Sequence, residues 1–197
     1  ENDKNVLSVA SVPELPGGAR PDISTSNIRC TINHSKFSLS YRSKTLDLRT
    51  KLLGSFNVSN VSLSIGALLN SGYSSEVIMR FLPEIECVPG RMQFCGESAS
   101  GAWVFVDYAH TPEGLAAALS AFRPLSKGRL IVVFGCGGDR DRTKRSEMGS
   151  VASLGADQVF LTGDNSRSEA TEDIVAEILV GVADRERVLT IYDRFSA

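Results

Sequence analysis

Three polar segments of the chain hold side chains that could do chemistry together: 107–112 (DYAHTP), 135–145 (GCGGDRDRTKR) and 162–170 (TGDNSRSEA). In the second, glycines permit close backbone approach and are followed by four cations and two anions. The segment is not a GxGxxG fingerprint, because the third glycine is missing and Asp139 stands where a phosphate would approach, and it is not a GxxxxGK[ST] loop. Its arginine forks match carboxylates and phosphates alike, and a solvated charge run has the same composition. In the third segment, DNSR sets a carboxylate, an amide and a guanidinium within four residues. Such a set can read an amino-acid zwitterion, with Asp164 for an ammonium, Arg167 for a carboxylate and Asn165 for either, although the same residues also build ordinary Asx turns. His110 lies close to Asp107, but no GxSxG elbow or suitably spaced serine completes a nucleophilic triad. Cys136 reads as a small packing residue rather than a reactive thiol.

Each of these segments follows an apolar run. WVFVDY (103–108), RLIVVFG (129–135), DQVFLTG (157–163) and RVLTIY (187–192) read as strands of a parallel sheet. Helices are expected between them. Thr111 and Pro112 supply an N-cap and a first helical position, a further helix covers 145–154, and Thr171 with Glu172 and Asp173 opens another. Short apolar strands joined by amphipathic helices imply an α/β fold with crossover connections. In such a sheet ligands bind beyond the C-terminal strand ends, which is where all three polar segments fall. Upstream the texture differs. VLSVASV (6–12) reads as a strand, PELPGGARPD (13–22) as a turn-rich loop, and NIRCTI, FSLSYR and LDLRTKL as antiparallel strands. Asn57 is expected to cap a helix through VSNVSLSIGALLN, and Ser74 or Ser75 one through EVIMRFL, ending at Pro83. CVPGR (87–91) reads as a linker.

Composition narrows the function classes. Hydrophobic residues make up 42% of the 197 and charged ones 22%, enough for a sizeable core. Lys plus Arg is 21 against 23 Asp plus Glu, a net charge of −2, which argues against non-specific nucleic-acid binding. No apolar run reaches the roughly 18 residues of a membrane helix, and ENDKNVLSVA lacks the basic and apolar regions of a signal peptide. The four cysteines form no CxxC pair and only two histidines accompany them, so no metal site is expected and reduced cytosolic thiols are.

LLGSFNVSN, PGRMQ, VDYAHTPEGL, VFGCGGDRDRTKR and TGDNSRSE stand in the order and approximate spacing of the Mur ligases, and the whole chain resembles that family, most of all its MurE-type branch. The resemblance implies an α/β chain with two parts: the C-terminal portion of a central ATP-binding domain over 1–88, with strands plus two helices, and a Rossmann-like, parallel-sheet, amino-acid-binding C-terminal domain over 89–197, truncated at its end. It implies an ATP-dependent ligase that adds meso-diaminopimelate to UDP-N-acetylmuramoyl-L-alanyl-D-glutamate in peptidoglycan synthesis. The route is an acyl-phosphate that the incoming amine converts to an amide, releasing ADP and phosphate. By motif position Asn57 and Asn60 match adenine contacts, and Arg91 and Asp107 match positions near the ATP ribose and phosphates. Arg140, Asp164, Asn165 and Arg167 match the diaminopimelate site, and no catalytic residue or metal ligand is assigned within this chain. Arg167 suits the additional carboxylate that distinguishes diaminopimelate from lysine.

The motif usually reads DNPR and here reads DNSR, so Ser166 lacks the fixed φ of proline. No GTxGKT segment and no GKGHE-like segment occurs. The resemblance therefore implies a chain truncated at both ends, inactive alone, with most ATP and Mg2+ ligands elsewhere in a monomeric cytoplasmic enzyme. A non-catalytic Rossmann-like module that binds an amino acid or a partner is the alternative. A dinucleotide-dependent oxidoreductase fits less well, because the glycine pattern is imperfect.

Overall fold

The computed structural model describes residues 9–10 and 21–197. It divides into two compact units, one up to Val106 and one from Asp107 to Ala197. Among the described residues no helix is long and apolar enough to cross a membrane.

The first unit has a four-stranded sheet in the order β1 (Val9–Ala10), β2 (Ile23–Cys30), β3 (Ser35–Tyr41), β4 (Lys44–Thr50). β2, β3 and β4 pair antiparallel, as their alternation predicts, whereas β1 runs parallel to β2. The register sets Phe37 opposite Leu48 and Leu39 opposite Leu46. That apolar face packs on Val58, Val61 and Ile65 of α1 (Ser55–Asn70) and Ile78 of α2 (Ser75–Phe81). Of VLSVASV only β1 is described; the rest, and 13–20 of the predicted turn-rich loop, lie outside the described residues.

Two local expectations change. Asn57 does not cap α1; Gly54 does, with φ +89°, a conformation in which a Cβ is strained. The helix thus begins three residues earlier, and Asn57 turns its Nδ2 back onto the Leu53 carbonyl at 2.8 Å. Ser74 caps α2 as expected, accepting from the Val77 amide. The run WVFVDY does form a strand, β6 (Trp103–Val106), but it pairs antiparallel with β5 (Gln93–Glu97) rather than joining the parallel sheet. The five residues between them explain this. A connection that short makes a hairpin, while a parallel neighbour needs a crossover of a dozen residues or more.

The second unit is the α/β part. β7 (Ile131–Phe134), β8 (Gln158–Leu161) and β9 (Val188–Thr190) form a parallel sheet in that order. α3 (Pro112–Phe122), α4 (Thr143–Gly155) and α5 (Thr171–Val180) supply Leu115, Leu119, Met148, Ala152, Ile174 and Ile178 to one core with Val159 and Leu161 of β8. Thr111 caps α3, its Oγ1 accepting from the Gly114 amide at 3.1 Å, with Pro112 in the first turn as predicted. The loops after β7 and β8 leave from the C-terminal ends of adjacent parallel strands, the position that brings a Gly-rich and a polar loop side by side.

Helices α4 and α5 meet at Gly149, where an added Cβ would lie 2.0 Å from the Ile178 carbonyl oxygen. Gly149→Ala should therefore destabilise the chain by about 2 kcal/mol despite the gain of about 1 kcal/mol in helix propensity. Urea unfolding would show this as a lower midpoint at an unchanged slope.

Candidate functional site

The loops after β7 and β8 touch through backbone with no room for side chains. A Cβ at Gly135 would lie 2.2 Å from the Thr162 carbonyl oxygen, and one at Gly138 would lie 1.9 Å from that of Ser166. This closeness lets the Gly138 amide donate to the Asn165 carbonyl at 2.9 Å. Arg167 Nη1 donates to the Gly138 carbonyl at 2.6 Å and to the Asn165 carbonyl at 3.3 Å. Asp139 reciprocates: its carboxylate accepts from Ser168 Oγ at 2.6 Å and from the Ser168 amide at 3.2 Å. Asp139 and Arg167 both hold left-handed backbone, with φ +52° and +50°. Such a conformation costs a non-glycine residue about 1 kcal/mol or more, and here the cross-loop bonds hold it.

Beneath this pair of loops lies Arg145, with no exposed side-chain surface. Its Nη1 and Nη2 fork onto both oxygens of Glu169 at 2.8 Å. Nη1 also reaches Glu177 at 2.7 Å, and Nη2 donates to the Gly137 carbonyl at 3.1 Å. Glu169 in turn accepts from the Asp139 amide at 2.6 Å. Arg142 adds a second cation on Glu177 from the exposed side. The Arg145 hydrogen bonds and the Asp139 amide hold the Glu169 carboxyl down from 4.5 to about 2. Hydrogen bonds from Arg142 and Arg145 lower that of Glu177.

The four cations of 135–145 therefore divide by role. Arg142 and Arg145 are structural ion-pair partners, and Lys144 Nζ donates to the His110 carbonyl at 2.8 Å, tying the 107–112 segment to α4. Arg140, exposed like Arg142, alone among the four makes no hydrogen bond or ion pair among the described residues. Gly137 lies between the predicted reading groups: a Cβ there would sit 2.9 Å from Arg167 Nη1 and 4.0 Å from Arg140 Cγ. Asn165 is exposed and uses its backbone carbonyl, not its carboxamide, in the loop-to-loop bonds. Asp164, expected to meet an ammonium, carries an ion pair with Arg194 at 3.3 Å.

The other predicted positions lie apart from this cluster in sequence and element. Asn57 and Asn60 are one turn apart on α1, with Asn60 Nδ2 donating to Asn57 Oδ1 at 3.3 Å. Arg91 is exposed on the 88–91 turn, and Asp107 is half-buried at the start of the second unit. His110 Nδ1 meets the Tyr108 carbonyl at 3.1 Å. Cys136 is buried, with Sγ 3.7 Å from Met148 Sδ, and burial pushes its thiol pKa up, as befits a packing residue. Sequence reasoning missed Arg145, Glu169 and Arg194. A signal for the first was present: Arg145 shares a helical stripe with Met148 and Ala152, so its charge lies on the buried face of α4.

Residues 90–197 match the family description Mur ligase, glutamate ligase domain. The chain is 48% identical over 150 residues to the UDP-N-acetylmuramoyl-L-alanyl-D-glutamate--2,6-diaminopimelate ligase of Pseudomonas syringae pv. tomato, covering 76% of this chain and 31% of that protein. With the ligase of the same name from Syntrophomonas wolfei it shares 38% over 200 residues, covering 98% of this chain and 40% of the relative. A solved structure of a ligase of that name superposes with a TM-score of 0.63 at 32% identity, over 96% of this chain and 38% of the other. The chain thus spans about a third of the length of the curated relatives it matches.

Arg145→Met should cost about 2–3 kcal/mol by removing the buried partner of two carboxylates. That is the low end for a buried pair, because Glu177 keeps Arg142, Glu169 keeps the Asp139 amide, and Glu169 and Glu177 retain 18% and 30% of their side-chain surface exposed. The depressed Glu169 carboxyl also fixes a pH dependence. Its contribution is complete above about 4.5 and is lost as pH falls toward about 2. Urea midpoints between pH 7 and pH 2.5 should fall in the wild type and change less in Arg145→Met.

Proposed function

The chain belongs to the Mur ligase family, and from that premise we propose that it is part of an ATP-dependent, amide-forming ligase. In this reading the ligase joins meso-diaminopimelate to UDP-N-acetylmuramoyl-L-alanyl-D-glutamate for peptidoglycan synthesis. The observation that carries the reading is that Arg140 and Arg167 both come close to Gly137, with Asn165 exposed on the facing loop. Diaminopimelate has two carboxylates and two ammonium groups. Two guanidinium forks set on one rigid pair of loops suit the carboxylates, and Asn165 can take either charge. The names of the relatives from Pseudomonas syringae and Syntrophomonas wolfei support this substrate class.

The chain's own residues would bind and orient the amino acid so that one amine faces the activated glutamate carboxyl. Orientation of this kind contributes by converting an encounter into an intramolecular approach. ATP, when bound, supplies the phosphoryl group that activates that carboxyl. Asn57 and Asn60 fit an adenine edge in one respect. With Asn57 Nδ2 spent on Leu53 and Asn57 Oδ1 on Asn60, the exposed Asn60 carboxamide keeps an acceptor and one N–H for a purine. Arg91 and Asp107 are proposed to lie toward the ribose and phosphates. For Mg2+, no cluster of three His, Cys, Asp or Glu gathers among the described residues. The division into an ATP-binding portion over 1–88 and an amino-acid domain over 89–197 belongs to the same proposal. The start of the family match at residue 90 supports it.

Calorimetric titration of the chain should show meso-diaminopimelate binding, with L-lysine at least about tenfold weaker because one charge-assisted carboxylate contact is missing. Arg140→Ala should weaken diaminopimelate by about tenfold without moving the melting temperature, since Arg140 holds nothing else. A folded chain that binds neither amino acid overturns the reading.

A further inference from the structure

Arg194 lies outside all three of the polar loops, in the segment that follows β9. Its Nε donates to the Gly163 carbonyl at 2.9 Å, and its Nη2 stands 3.3 Å from Asp164 Oδ1. The turn that carries it is well anchored. The Gly163 amide donates to the Tyr192 carbonyl at 3.1 Å, the Ile191 amide to Leu161 at 2.9 Å, and Asp193 accepts from both the amide and the hydroxyl of Ser196. A guanidinium is thus delivered to the one acidic residue of the DNSR motif from a different strand end.

We infer that Arg194 sets the charge selectivity of the amino-acid site by neutralising Asp164. The inference rests on the reading of that site given above. Three exposed carboxylates lie on the loops that rim this site, Asp139, Asp141 and Asp164. Asp139 and Asp141 accept from the neutral amides and hydroxyls of Ser168 and Thr143 and keep their charge, whereas Asp164 is paired with Arg194. Arg194 thus offsets one negative charge beside the positive charges of Arg140 and Arg167. At neutral pH meso-diaminopimelate carries no net charge, whereas L-lysine carries +1. Each positive charge added to the rim consequently penalises lysine relative to diaminopimelate, whatever pose either adopts. Without Arg194 the rim loses one positive charge and leaves the Asp164 carboxylate uncompensated, a single change of −1 that favours lysine. The ion pair is half-exposed on both sides, with 59% and 47% of the side-chain surface accessible, so the effect is moderate and screened by salt.

The test is the ratio of lysine to diaminopimelate dissociation constants, measured by calorimetry at low and at physiological ionic strength for wild type, Arg194→Gln and Arg194→Lys, with melting curves to confirm folding. Arg194→Gln should move the ratio toward lysine by about fivefold at low salt, and less at higher salt. Arg194→Lys keeps the charge while losing the fork and should retain the wild-type ratio. A wild type that discriminates while Arg194→Gln leaves the ratio unchanged overturns the inference and spares the site. An equal shift in Arg194→Lys and Arg194→Gln also overturns it, because the role would then be geometric. A folded wild type that binds neither amino acid removes the site reading and the inference together.

Discussion

Burying the guanidinium of Arg145 without counter-charge would cost several kcal/mol, and the fold meets that cost with two carboxylates drawn from different places in the chain. Glu169 comes from the loop after β8 and Glu177 from the second turn of α5, while Arg145 itself comes from the first turn of α4. One side chain therefore fixes a loop and two helices with respect to one another. It also decides what the loops can do. Because Glu169 accepts from the Asp139 amide and Arg145 donates to the Gly137 carbonyl, the backbone of the Gly-rich loop is held at two points from below. The upper surface of the same loop is then free to present side chains.

That surface is assembled from what the internal bonds leave over. Arg142, Lys144 and Arg145 each have a partner within the protein, and among the described residues Arg140 does not. Arg167 spends one nitrogen on two carbonyl oxygens, which orients its guanidinium while the residue stays exposed. Asn165 contributes its backbone to the frame and keeps its carboxamide outward. A cation held by backbone carbonyls keeps its charge uncompensated, unlike one held by a carboxylate. The distinction between carbonyl-held and carboxylate-held arginines is thus what separates reading groups from structural ones in this cluster.

The strands, helices and Thr111 cap of the second unit were legible because each has a local cause: a β-branched run, an apolar stripe, or a hydroxyl before proline. The loops after β7 and β8 were legible as a pair because strand ends in a parallel sheet place them together, whereas the 107–112 segment follows the antiparallel strand β6. Their division of labour was not. The run DRDRTKR gives no sign that its last arginine is buried until α4 is phased against Met148 and Ala152. Nothing near Asp164 in sequence announces Arg194, thirty residues later, since that contact is created by the pairing of β8 with β9. The cap at Gly54 in place of Asn57 and the β5–β6 hairpin escape a local reading for the same kind of reason. A glycine cap depends on φ rather than on a side-chain signal, and the strand partner of WVFV depends on a loop too short for a crossover.

Ser166 shows how a local constraint can be exchanged for a non-local one. Where the family motif usually has proline, fixed φ would restrict the loop before folding and reduce the entropy lost on ordering it. Serine supplies no such restriction, and the order comes instead from contacts made only in the folded chain. Its hydroxyl meets Thr171 Oγ1 at 2.7 Å, at the first residue of α5, and its carbonyl accepts from the Glu169 amide at 3.0 Å. The same carbonyl packs against Gly138, which has no Cβ to displace it. The turn that aims Arg167 is therefore held from α5 and from the Gly-rich loop rather than by its own backbone. Its geometry is coupled to Glu169, and through Glu169 to the buried charge of Arg145.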